Sequence, residues 1–240
     1  MLSLQANGRD PVLPTLPTAD IALGSAALIG ILMALLRRQT TGEGDWIDAS
    51  MVDTLFSWTP HIVSTVVKEG RSPDLAHERL HGGAAFYDVY RTKDGKHVVL
   101  SGAEMNFVEN LLNALGRPDL IEVCRRPWGP EQEPAKAFLR DTFAMRTRDE
   151  WDRWLSDKGV CYAPMLELHE AWKLPLMHER GMVVKGEDGV ENLGTPIHFI
   201  REPGRPGLRL AKQGADSDEI LRRLGYSVKA RESLRSRKVI

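Results

Sequence analysis

The most continuous apolar run in the chain lies between Ile21 and Leu36, where leucine, isoleucine, alanine and methionine occupy every side and only Gly24, Ser25 and Gly30 interrupt. A segment apolar all round predicts a helix buried inside a larger body of protein, here running from Ala19 to about Arg38 with Thr18 as its N-cap. As a membrane span the run falls short, because sixteen helical residues cover about 24 Å against a hydrocarbon core of about 30 Å. The small residues fit close helix packing instead. A signal peptide is also a poor match, since no basic start precedes the run and Arg37-Arg38-Gln39 stands where a small-residue cleavage site belongs.

Beyond the turn cluster 40–44, Asp45 to Ala49 alternates polar and apolar as a strand does. Ser50 with Asp53 three residues on resembles a capping box for a helix reaching about Lys68, and Pro60 predicts a kink or break within it. Gly70 to Pro73 then reads as the exit from one domain. Phe86–Thr92 and His97–Ser101 flank Lys93-Asp94-Gly95-Lys96, a hairpin signature. A helix follows to Gly116 and Pro118, with Glu104 in its first turn. Residues 125–133 read as a loop, and two helices follow, Pro134 to about Met145 and one capped by Thr147 with Glu150. In the latter, Trp151, Trp154 and Leu155 recur at core spacing. A strand at Val160–Met165, a helix at Glu167–Leu174 ended by Pro175, sheet elements at Met182–Val184 and Gly194–Phe199, and helices at Ser217–Leu224 and from about Lys229 complete the pattern.

Composition narrows the class. At 240 residues with 42% hydrophobic and 27% charged positions, the chain has the material for a real core and for one or two domains. A net charge of -1 supplies no basic field for nucleic acid or an anionic membrane surface. The two cysteines, Cys124 and Cys161, show neither a pairing pattern nor metal-ligand spacing, which points to core thiols in a reducing, cytoplasmic compartment.

Two stretches carry candidate chemistry. Asp20 lies beside the unpaired backbone N–H groups and positive dipole end of the apolar helix, which favour a carboxylate. On the residues alone it is either a helix-stabilising acid or a reactive one. His77-Glu78-Arg79-Leu80-His81 spells the zincin pattern, but Gly82-Gly83 follow at once and would end the helix that pattern needs, and Ala84 holds a position where metzincins carry glycine. No metal site is therefore assigned.

Four segments in order, PVLPTLPTADIALGSAALIGILMALLRRQTTGEGDWIDASMVD, FYDVYRTKDGKHVVLSGAEMNF, RTRDEWDRWLSDKGVCYAPMLELHEAW with HERGMVV, and GADSDEILRRLGYS, resemble the class III CoA-transferase family, which includes the 2-methylacyl-CoA racemases. The resemblance implies an α/β fold. A partial doubly wound large domain would take in residues 1–72, a smaller α+β domain residues 73–193, and residues 194–240 would return to the large domain. It also places Met1 inside a longer protein, whose first part would come from a longer reading frame or a second subunit, and it implies a homodimer. By the same resemblance Asp20 is the catalytic carboxylate, and Glu104 is an active-site residue of the racemase branch. Gly82 and Gly83 belong to a glycine loop over the reacting thioester, although a plain turn is an equal reading of the two glycines. The implied activity is CoA transfer from an acyl-CoA thioester to a carboxylic acid through aspartyl anhydride and thioester intermediates, with α-proton exchange in a 2-methylacyl-CoA as the alternative. An inactive or partner-dependent subunit is the third reading. Coenzyme A enters as substrate, and no tightly bound cofactor is implied.

Overall fold

The structure, a computed structural model, describes residues 15–74, 77–186, 188–204, 207 and 211–240. The lead-in expected over residues 1–16 lies, as far as residue 14, outside the described residues. The chain falls into two compact units, residues 1–165 and 166–240. The expected boundaries at 72/73 and 193/194 fall within these units.

The first unit opens with α1 (Thr18–Thr41), a 24-residue helix closed by Gly42 in the left-handed conformation at φ 76°. One expectation fails here. Its N-cap is Pro17, and Thr18 is already helical, its hydroxyl donating to the Leu16 carbonyl at 3.2 Å. Within this chain only Ala22 of the helix is buried, while Leu28, Ile29, Leu32, Met33 and Leu36 are exposed. Among the described elements, α1 packs mainly on α2 (Met51–Phe56) and on the segment between them. At 24 residues α1 is about 36 Å long, so it is long and apolar enough to cross a membrane by length and composition, and the expected length shortfall does not hold.

No strand forms at Asp45–Ala49, contrary to expectation. The segment is tied along α1 instead: Arg37 reaches Asp45 Oδ2 at 3.1 Å, and Ile47 packs against Gly30, where an added Cβ would meet its side chain at 3.3 Å. A strand needs a ladder partner, and none stands beside it among the described residues. Ser50 does cap α2, accepting from the Asp53 N–H at 3.3 Å. The helical path breaks around Pro60, as expected, before α3 (Val63–Glu69).

The rest of the unit is an α+β body. β1 (Tyr87–Arg91) and β2 (His97–Ser101) pair antiparallel as a hairpin in the register Val89↔Val99, with Gly95 at φ 79° in its turn. After α4 (Met105–Ala114), α5 (Ile121–Cys124), α6 (Glu133–Phe143) and α7 (Arg148–Leu155), β3 (Tyr162–Pro164) completes an antiparallel sheet of order β1-β2-β3. Side chains one face of the hairpin buries, Tyr90, Val98 and Leu100, meet Leu111 and Leu112 of α4, Leu139 and Phe143 of α6, and Trp151 and Leu155 of α7. Both halves of the Thr147/Glu150 capping box form. Gln132 is the polar keystone that the loop reading of 125–133 missed. Buried, it accepts from the Ala85 N–H at 3.0 Å and donates to the Cys124 and Arg126 carbonyls at 3.0 and 2.8 Å.

The second unit holds α8 (Leu168–Trp172), α9 (Pro175–Glu179), the antiparallel pair β4 (Val183–Lys185) and β5 (Glu191–Leu193), α10 (Ser217–Arg223) and α11 (Val228–Ser236). Pro175, expected to end a helix, begins one, because its missing N–H costs nothing in the first turn. The sheet element expected at Gly194–Phe199 is not a strand; the partner of β4 lies just before it, at 191–193, and Gly194 only donates to the Met182 carbonyl. The mixed α/β class holds, and the described strands all pair antiparallel.

Truncating Gln132 to Ala orphans one buried N–H and removes the donor to two carbonyls, so Gln132→Ala should lower stability by about 2–3 kcal/mol. A urea titration followed by tryptophan fluorescence measures it, and a loss under about 0.5 kcal/mol would show that the loop does not depend on this side chain.

Candidate active site

Asp20 sits in the first turn of α1 with its side chain exposed. In that turn the Thr18 N–H returns to Leu16 and the Ile21 N–H to Pro17, at 2.8 and 3.1 Å. Among the described residues, the N–H groups of Ala19 and Asp20 have no backbone acceptor, and the Asp20 carboxylate has no ion-pair or hydrogen-bond partner. Among the described residues the acid is therefore open to solvent, next to two donors and the positive end of a 24-residue dipole.

Gly82 and Gly83 form a tight, pinned turn. A 3-10 turn at Arg79–His81 ends at Gly82, whose φ of 87° belongs to the left-handed region that glycine tolerates. Gly83 donates to the Glu78 carbonyl at 3.0 Å, and a Cβ there would lie 2.6 Å from that same oxygen. The Gly82 carbonyl accepts from Lys136 Nζ and the Gly83 carbonyl from the Gly129 N–H at 2.9 Å. Close backbone approach on both sides explains the need for two glycines.

Glu104 is the N-cap of α4 rather than part of its first turn, and its side chain makes no capping bond. The carboxylate instead takes Arg79 Nη2 at 3.1 Å. Thus the structure brings Glu104 and the glycine turn together through Arg79, whose role carries no local signal in the sequence. Among the described residues, no hydrogen bond or ion pair joins Asp20 to this group.

The two histidines of the motif diverge. His77 hydrogen-bonds Asp74 Oδ2 at 2.8 Å and lies against Gly129, whereas His81 stacks on His61 with ring centroids 5.9 Å apart and planes 10° from parallel. Burial pushes the His81 imidazole below its ordinary pKa, repulsion from His61 adds to that, and Glu78 opposes it. His61 follows α2, so this stack connects the helical segment that packs on α1 with the glycine turn. Cys124 and Cys161 are free; burial raises the Cys124 thiol to about 11, and Cys161 Sγ lies 3.3 Å from Ser101 Oγ. The raised thiol is inert at neutral pH.

Comparison with known proteins gives a consistent result. The profile described as CoA-transferase family III matches residues 1–217. The chain is 30% identical over 240 residues to the alpha-methylacyl-CoA racemase of Homo sapiens, covering 98% of this chain and 62% of that protein. It is 28% identical over 207 residues to the acetyl-CoA:oxalate CoA-transferase of Acetobacter aceti, covering 82% of this chain and 52% of the relative. The chain thus spans less than two thirds of the length of these relatives. In fold it matches the crystal structure of a CAIB/BAIF family protein from Brucella suis with a TM-score of 0.73 at 23% identity, over 92% of this chain and 60% of that one.

Because His81 is held neutral by the fold, its stabilising contribution is complete above the ordinary histidine pKa and is lost as pH falls through its lowered folded value. Melting temperature should therefore fall as pH drops below about 6.5, and His81→Gln should flatten that slope. A scan of both proteins from pH 7.5 to 5 decides it; parallel curves would contradict the assignment.

Proposed function

The chain belongs to CoA-transferase family III, and from that premise we propose that the whole protein moves coenzyme A from an acyl-CoA thioester to a carboxylic acid, with Asp20 as the nucleophile. One observation carries this reading: a solvent-open, unpartnered carboxylate in the first turn of a long helix, beside two backbone N–H groups without acceptors among the described residues. Attack by Asp20 on the thioester carbonyl forms a C–O bond, breaks C–S, and leaves a mixed anhydride and CoA thiolate. The thiolate then attacks the aspartyl carbonyl, releases the first carboxylate and leaves an aspartyl-CoA thioester. The acceptor carboxylate repeats the two steps in reverse and restores Asp20. Each tetrahedral stage places negative charge on an oxygen, which the helix N-terminus is suited to stabilise. Gly82 and Gly83 are assigned to the thioester's binding wall, where the absence of side chains lets substrate approach backbone. Coenzyme A is substrate, no bound cofactor takes part, and the reading places the enzyme in the cytoplasm as a homodimer.

A second reading has its own support. The likeness to a racemase runs over 98% of the chain, and Glu104 lies in the glycine-turn group. Here Asp20 would act as a base on the α-carbon of a 2-methylacyl-CoA, with Glu104 supporting the proton-transfer group.

In the complete protein, Asp20→Ala should reduce transfer of CoA from acyl-CoA to free carboxylates by at least about 10³-fold, since the covalent route disappears. Transfer that persists in this variant would sink the nucleophile assignment. Incubating wild type with a 2-methylacyl-CoA in deuterated water separates the branches, because α-deuterium incorporation without CoA transfer selects the racemase.

A further inference from the structure

Lys136 is 8% exposed on the buried side of α6, a side it shares with the core residues Ala135, Leu139 and Phe143. An ammonium in such a place is costly, because burial strips its water and its three N–H donors need acceptors. Among the described residues it forms no ion pair, and its hydrogen bond goes to the Gly82 carbonyl, 54 residues away. Counter-charge comes from the half-buried Asp88 on β1. Burial pushes the Asp88 carboxyl up, while the Val89 N–H and the positive charges of Lys136 and Arg140 pull it back against Glu133.

The bond from Lys136 falls on one particular peptide unit. In the link from Gly82 to Gly83 the oxygen is held by the ammonium and the N–H by the Glu78 carbonyl at 3.0 Å. A peptide between two glycines rotates more easily than any other, because neither side carries a Cβ to block the alternative. Holding both poles removes that freedom. An apolar side chain of equal length would fill the same space in α6, and exchanging buried charge for apolar packing is often neutral or stabilising. The carbonyl that exchange frees belongs to a part-exposed residue, where water can replace the ammonium. The charge at this position therefore serves the geometry of the turn more than the stability of the fold.

We propose that Lys136 is a positioning residue for substrate, locking the Gly82–Gly83 peptide in the orientation that presents the bare turn to an acyl-CoA thioester. The inference rests on the assignment of the two glycines to the thioester's binding wall, and extends it to the group that sets the shape of that wall. Lys136 acts through the backbone. Without it the bonds to the Glu78 carbonyl and from the Gly129 N–H still hold the turn in place, but one pole of the peptide is released. Substrate then has to select the competent orientation, and apparent affinity falls by the fraction of molecules that hold it. The chemical step at Asp20 is untouched.

The complete protein carries the test, with Lys136→Met, which keeps the length of the side chain and removes the ammonium. Deuterium exchange read by mass spectrometry over residues 78–86 should quicken by about tenfold or more at an unchanged melting temperature. KM for the acyl-CoA that wild type turns over should rise by about tenfold, with kcat within about twofold of wild type. Lys136→Gln, too short to reach the turn, replaces the methionine variant if that one does not fold, and the same shifts are expected of it. A wild type that turns over no acyl-CoA defeats the functional reading itself, and the exchange measurement then decides the role of Lys136 alone. Unchanged exchange over residues 78–86 would overturn the proposal. So would a KM at its wild-type value, and a lowered melting temperature beside it would mark Lys136 as support for the fold alone.

Discussion

Much of the first unit's candidate chemistry depends on how little room surrounds Gly83. With the Glu78 carbonyl 2.6 Å from where a Cβ would be, the chain can make this turn only with a bare backbone. The carbonyls of Gly82 and Gly83 are then fixed from outside by Lys136 and Gly129. A turn held at three points orients what leaves it. Arg79 is sent toward Glu104 and His81 onto His61, so two elements distant in sequence are referenced to one short piece of backbone. Lys136 illustrates the cost of this arrangement, since a buried ammonium is tolerable only when it donates, and the carbonyl it donates to is that of the turn.

Asp20 obeys a different constraint. Among the described residues, its environment is defined by what backbone leaves unsatisfied at a helix start, not by side chains packed around it. That makes the carboxylate accessible, and it also means that the walls of any pocket around it must come from elsewhere. The helix behind it is apolar on all sides yet covered on only part of one, so its exposed leucines and isoleucines present a surface of the kind proteins normally bury. A sequence that spans 62% of a relative's length and exposes such a helix is consistent with the proposed function belonging to the whole protein.

Legibility in the sequence followed the range of the forces involved. The Thr147/Glu150 capping box, the Asp94-Gly95 hairpin turn and the break at Pro60 are local agreements between a few neighbouring residues, and each formed as expected. Asp45–Ala49 has the alternation of a strand but lacks a partner, so Arg37 and Ile47 draw it along α1 instead. The Thr18 cap failed for a related reason: Pro17, which cannot continue a helix N-terminally by hydrogen bonding, sits one position earlier and takes the boundary. For the site, Asp20 and the glycines were identifiable because backbone geometry restricts which residues can stand there. Arg79 was not, since a surface arginine beside two histidines carries no local signal of a partner 25 residues away.

Transferase and racemase readings ask different things of the same acid, and that difference bears on Glu104. A nucleophilic carboxylate needs an open approach to an sp² carbon and donors for the oxyanion, both of which a helix N-terminus supplies without help from another acid. A base acting at the α-carbon needs a second proton-transfer group on the opposite face, held at hydrogen-bond distance in a fixed pose. Glu104 already spends an oxygen on Arg79 and makes no bond to its own helix, so its orientation is set by one exposed arginine. Such a pair is weak in water, where exposed ion pairs contribute about 0–1 kcal/mol, and it becomes a firm support only if bound substrate excludes solvent around it. The racemase reading therefore demands closure over the glycine turn that the transferase reading does not.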